Sequence, residues 1–86
     1  MKVAIPSQLR DYTRGAPEVD ATGSTVSEVL ADLDRQFNGM RFRIIDEQDR
    51  IRPHVRIFLN HDQARRLDIP VNPSDRIMIV GALSGG

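Results

Sequence analysis

TGSTVSEVLADLDRQFNG, residues 22–39, decides the class of fold. Thr22-Gly23-Ser24 carries turn chemistry, and Thr25 followed three residues later by Glu28 matches a capping box, which satisfies two free backbone donors at a helix start. Val26, Val29, Leu30, Leu33 and Phe37 then recur at i, i+3, i+4, i+7 and i+11, a single apolar stripe that leaves Glu28, Asp32, Asp34 and Arg35 for water. Asn38-Gly39 supplies a residue that accepts left-handed backbone and stops the helix. Such a stripe is core-packing chemistry, so the flanking sequence has to provide the surface it packs on.

On the N-terminal side, Val3 and Ile5 alternate with smaller or charged neighbours as in a short half-buried strand, which Pro6-Ser7 ends. Gln8 to Gly15 reads as a connection with Leu9 and Tyr12 tucked in, and Glu18-Val19-Asp20-Ala21 resumes the alternation, which predicts an N-terminal hairpin. On the C-terminal side, Met40 to Ile45 is expected to add a short helical turn, and Asp46 to Arg50 is a polar loop. From Val55 the period of two returns, with Val55, Ile57 and Leu59 on one face and Arg56, Phe58 and Asn60 on the other. Asn60-His61-Asp62-Gln63 reads as a turn. Ala64 to Val71 is expected to hold a very short strand and a tight turn, with Leu67 and Ile69 covering the core edge. Asn72 to Asp75 is a turn into the last strand, Arg76 to Val80, where Ile77 and Ile79 point inward. Met78 and Val80 then fall on the side of Phe58 if the two strands pair, an exposed apolar patch that reads as a docking site. The order of elements predicts an α+β roll, a mixed sheet of four to five strands with one main helix packed across it. Residues 1–80 form the domain, and 81–86 a flexible tail.

Composition narrows the function. At 86 residues the chain is one domain with little core to spare. Its 12 basic and 12 acidic residues balance, so no global field draws nucleic acid or an anionic membrane. No apolar run approaches the roughly 20 residues of a membrane helix, and Met1 leads straight into a strand pattern, so the cytoplasm is the expected compartment. Absence of cysteine removes disulfides and thiolate chemistry. His54 and His61 lack the company a metal site needs, and Ser84 lacks a base to activate it.

The ending is different in kind. Gly81-Ala82-Leu83-Ser84-Gly85-Gly86 holds half of the chain's 6 glycines. Two residues without Cβ let another protein's backbone close tightly around them, so the carboxylate of Gly86 can be delivered into a narrow active site. Leu83 is the only sizeable apolar side chain there and suits an anchor that fixes how far the carboxylate reaches.

Four stretches carry a family resemblance over nearly the whole chain: IPSQLRDY at residues 5–12, the helix start GSTVSEVL at 23–30, the strand VRIFLN at 55–60, and the ending from Ser74-Asp75-Arg76-Ile77 to the diglycine. In order and spacing the chain resembles the ubiquitin-like sulfur carriers of the MoaD/ThiS family. The resemblance implies a β-grasp fold and a carrier, not an enzyme. It also implies a cycle: a ubiquitin-activating-type enzyme uses ATP to adenylate the Gly86 carboxylate, and a sulfur donor system converts it to a thiocarboxylate, a covalent 1-thioglycine. A sulfur-acceptor synthase subunit then receives the sulfur, in molybdopterin or cysteine biosynthesis ahead of other pathways. No cofactor is bound by the carrier itself. The same resemblance puts Phe58, Met78 and Val80, with Ala82, Leu83 and Ser84 of the tail, against the partner, and makes Gly85 and Gly86 the reactive end. The family often has Asn-Gly where this chain has Asn60-His61, and His takes up positive φ less readily than Gly. Two other functions fit the same ending. One is a protein modifier joined through Gly86 to lysines, and the other is a non-catalytic ubiquitin-like binding module.

Overall fold

The computed structural model describes residues 1–81. Five strands form one sheet, β1 (Lys2–Ala4), β2 (Glu18–Asp20), β3 (Val55–Leu59), β4 (Asp62–Ala64) and β5 (Arg76–Gly81), in the order β2-β1-β5-β3-β4. β1 and β5 run parallel at the centre, and the other three pairings are antiparallel. Helix α1 (Val26–Gln36) lies between β2 and β3 in the chain, followed by the short α2 (Met40–Ile44). This is the β-grasp arrangement: a hairpin, a helix, and a second hairpin whose last partner inserts beside the first strand.

The helix begins and ends where its chemistry allows. Thr25 caps it by accepting from the Glu28 backbone N–H at 3.2 Å, while the Glu28 carboxylate accepts from the Ser24 N–H at 2.8 Å, one residue earlier than in the usual box. Two more of its first N–H groups find carbonyls across the chain, Val26 to Ile69 at 3.0 Å and Ser27 to Leu67 at 2.9 Å. Residues 67–70 are thus the strap that completes the helix N-terminus, and Leu67 and Ile69 pack against the core edge as expected. Gly39, at φ 94°, turns the chain between the two helices, and the Asp34 carboxylate holds that turn through the N–H groups of Gly39 and Arg41, both at 3.1 Å. At Gly23 a Cβ would lie 2.7 Å from the Val29 nitrogen, so only glycine lets the entering chain lie so close to the first turn.

The apolar stripe of α1 packs on the inward face of the sheet. Val26, Val29, Leu30 and Leu33 are fully buried with Val3, Ile57, Ile77, Met40, Ile44 and Ile45.

Two expectations need correction. Asp32 is not in water: its side chain is buried, 6% exposed, where it accepts from the Thr22 N–H at 3.0 Å and from Gln36 Nε2 at 2.9 Å beside the Arg35 guanidinium. The two donors replace water at Oδ2, while Oδ1 has no hydrogen-bond partner among the described residues and faces the Arg35 charge. Because Gln36 Nε2 also donates to the Asp20 carbonyl at 3.0 Å, the cluster ties α1 to the end of β2. Second, the turn expected over residues 60–63 is confined to Asn60-His61, and β4 already begins at Asp62. Asn60 takes the left-handed position at φ 57°, which leaves His61 free of it.

Candidate functional site

The strands that face α1 on one side present a second face to solvent. Register places Phe58 directly opposite Met78, and Met78 opposite Ala4 across the parallel pair. Val80 stands opposite Arg56, one step nearer the end of β5. Met78 is 40% exposed, while Phe58 and Val80 are half-buried by their neighbours. The three residues nominated from sequence therefore share one outward strip, as the alternation requires.

Charged residues frame this strip. Arg76 reaches Glu18 at 2.8 Å and Lys2 reaches Asp20 at 3.2 Å, so the far end of the sheet is neutralised in pairs. Arg56 behaves differently, donating to the carbonyls of Pro53 at 2.7 Å and Val55 at 3.1 Å. An apolar centre with a polar rim has the anatomy of a protein-recognition surface.

β5 carries this strip to Gly81, the last described residue, whose carbonyl accepts from Gln8 Nε2 at 3.4 Å. Gln8 belongs to the helical turn Ser7–Leu9 that leads from β1 toward β2, so this connection meets β5 where the described chain ends. Ala82, Leu83, Ser84, Gly85 and Gly86, also nominated from sequence, lie outside the described residues. Ala4 and Gln8 went unnominated because their place beside β5 depends on a parallel pairing with no local signature.

Among the described residues, no group of three or more His, Asp or Glu is placed to hold a metal ion, and no helix is long and apolar enough to cross a membrane. Asp75 stands out among the carboxyls. Its oxygens accept from the Asn72 N–H at 2.8 Å and from Asn60 Nδ2 at 3.1 Å, and these bonds, the backbone one first, hold its pKa below the ordinary carboxylate value. The Arg76 N–H in turn donates to Asn60 Oδ1 at 3.0 Å. This clamp joins the start of β5 to the end of β3 and so sets the register that brings Phe58 against Met78.

The sequence profile of the ThiS family matches residues 3–86. The chain belongs to the ThiS family. Its similarity to the sulfur carrier protein CysO of Mycobacterium tuberculosis amounts to 32% identity over 89 aligned residues, covering 98% of this chain and 96% of that protein. In the crystal structure of the Amycolatopsis orientalis BexX/CysO complex, one chain superimposes with a TM-score of 0.91 at 30% identity, covering 99% of this chain and 98% of its own length. The small archaeal modifier protein 1 of Methanosarcina acetivorans is similar in structure, with a TM-score of 0.82 at 26% identity over 99% of this chain and 94% of that one. These likenesses run from end to end of a ThiS-family β-grasp domain. The CysO relatives are named as carriers and not as catalysts, as the resemblance implied for this chain.

Proposed function

We propose that this ThiS-family protein carries sulfur on the carboxyl group of Gly86. The observation that carries the proposal is the end-to-end similarity to the sulfur carrier protein CysO, 32% identical over 98% of this chain, in a chain that itself finishes in Gly85-Gly86. A carboxylate is a poor electrophile, so an activating enzyme of the ubiquitin-activating type first transfers AMP from ATP to the Gly86 carboxylate and releases pyrophosphate. Sulfide sulfur from a donor system displaces AMP and leaves a thiocarboxylate, the 1-thioglycine form. That sulfur is a soft nucleophile, and it attacks an electrophilic intermediate held by a sulfur-acceptor synthase. Hydrolysis of the resulting thioester returns the carboxylate and leaves the sulfur on the product.

The folded body contributes positioning, which replaces a dilute encounter with a held one. Phe58, Met78 and Val80 bear on the partner, and Ala82, Leu83 and Ser84 set the reach to Gly85 and Gly86. Cysteine biosynthesis is the receiving pathway favoured by likeness to CysO-type carriers, ahead of molybdopterin synthesis. The cycle places the protein in the cytoplasm, where ATP and the activating enzyme are available.

Intact-mass measurement after coexpression with an activating enzyme and a sulfur source tests the proposal. A species heavier by the exchange of one oxygen for sulfur, absent after deletion of Gly86, is expected. Its absence under conditions that charge a related carrier overturns the proposal.

Likeness to the archaeal modifier protein supports a second reading, an isopeptide bond from Gly86 to a lysine of another protein. Lys2 is the chain's only lysine, so self-built chains have a single internal acceptor. High-molecular-weight conjugates that depend on Gly86 select this reading over the first.

A further inference from the structure

Beside Gly81 the surface opens into a groove of about 380 Å³ between the Ser7–Leu9 turn, α2 and the adjoining ends of β3 and β5. Leu9, Val55 and Ile79 contribute apolar atoms to it, and Phe42 lines one side, 55% exposed and the most exposed large apolar side chain among the described residues. Exposure on this scale works against folding alone, since turning Phe42 inward would bury more apolar area.

Its charges point the same way. Arg52 donates from Nε to the Phe42 carbonyl at 2.8 Å and stacks its guanidinium 4.6 Å from the centroid of the Phe42 ring. Arg43 and His54 line the same groove, and no Asp or Glu does among the described residues. Elsewhere Arg35 pairs with Asp32, Arg41 with Asp49, Arg50 with Asp46, Arg66 with Asp68 and Arg76 with Glu18, while Arg10, Arg14, Arg56 and Arg65 have no carboxylate partner among the described residues. Arg43 and Arg52 have no such carboxylate among the described residues. What sets the groove apart is that two such guanidinium groups line one apolar hollow beside the start of the carboxyl-terminal segment, with no acidic residue among its described lining.

We propose that this groove is a second docking site, which receives an acidic segment with an apolar side chain from the activating enzyme. The proposal rests on the carrier reading above and adds the partner's chemistry to it. A carboxylate of the partner pairs with the guanidinium groups of Arg43 and Arg52, and its apolar neighbour covers Phe42 and the apolar part of the groove. Arg52 is already held by its backbone contact and by the ring, so it loses little side-chain freedom on binding. Occupancy of the groove places the enzyme at Gly81 from the side of the Ser7–Leu9 turn and α2, and the Phe58–Met78–Val80 strip approaches the same residue along the outer face of β5.

Two measurements test it. In the first, the isotope-labelled full-length chain is titrated with a blocked peptide alternating leucine and aspartate, and its resonances are followed by NMR. Shifts are expected at Phe42, Arg43, Arg52 and Gly81, and not at Ala31 or Arg35 on the far side of α1, with loss of binding for the same peptide carrying asparagine. In the second, charging kinetics are measured for an Arg43→Glu/Arg52→Glu double variant and for Phe42→Ser, with thermal melts confirming that both fold. A rise in KM for the carrier of about tenfold for the double variant and about fivefold for Phe42→Ser is expected, with kcat at saturation retained.

Parental KM values in both variants overturn the proposal while leaving the carrier function standing. Failure of any activating enzyme to charge the parent chain sinks the carrier reading instead, and the peptide titration then decides the groove alone. Groove shifts that depend on protein concentration without peptide place a second copy there and overturn the proposal. So do groove shifts produced by deleting Gly85-Gly86, which place the chain's own end in the groove.

Discussion

The two faces of the sheet are built from the same strands and have opposite fates. Ile57 and Ile79 are paired neighbours that point inward and disappear beneath α1, while Phe58 and Met78, one residue along each strand, are paired neighbours that point outward and stay accessible. Both pairs are apolar, so hydropathy does not separate them. Among the described residues, only the inward pair is fully covered by a part of this chain. The comparison therefore separates the apolar side chains that hold the domain together from those that it leaves accessible, which the proposed function assigns to a partner.

The comparison breaks most sharply at Ile57. Replacing it by alanine leaves a cavity under α1 and is expected to cost about 3–4 kcal/mol, a large part of the roughly 5–15 kcal/mol that stabilises a domain. Denaturant unfolding reads the loss directly. A cost under about 1 kcal/mol would mean that the inward face is no better packed than the outward one. Met78→Glu is the complementary change. It is expected to shift unfolding by less than about 1 kcal/mol, because the side chain is already 40% exposed. Charging by the activating enzyme is expected to fall about tenfold in kcat/KM, equivalent to about 1.4 kcal/mol of lost binding. If Met78→Glu destabilised the fold as much as Ile57→Ala, the two faces would not be distinct.

How much of this was legible beforehand follows from what each element depends on. The α1 stripe, the N-terminal hairpin and the alternation in β3 and β5 are local patterns, and the structure has all of them. Asp32 failed as a water-facing residue because its burial is decided by Thr22 and Gln36 arriving from either side, which helical periodicity does not register. The three residues of β4 are too few to show a period, and β3 alone dictates their pairing. Phe58, Met78 and Val80 were legible as one strip once β3 and β5 were paired. Phe42 was not, because a five-residue helix has too few turns to define a face. Parallel pairing of β1 with β5 joins residues more than 70 positions apart, and with it went any early view of Ala4 and Gln8 beside the site.

The smallest expected effect concerns the clamp that keeps the two faces of β3 from exchanging. A slip of β3 by one residue against β5 would carry Phe58 inward and Ile57 out while β5 kept its faces. Asp75, through Asn72 and Asn60, fixes that register at one end. Because hydrogen bonds to the charged form lower its pKa in the folded state, the carboxylate favours the folded state at pH above its unfolded value of 3.8, and that contribution is lost as pH falls through the lower folded value. Asp46, lowered chiefly by the Arg50 N–H, adds an acid limb of its own, but it is common to parent and variant and cancels in their difference. The melting temperature of Asp75→Asn is therefore expected to lie below that of the parent by a constant margin near neutral pH. The gap closes in acid below pH 3.8, where protonation does to the parent what substitution did to the variant. A margin that persists unchanged to the acid limit would show that the clamp acts through the shape of the turn and not through the charge of Asp75.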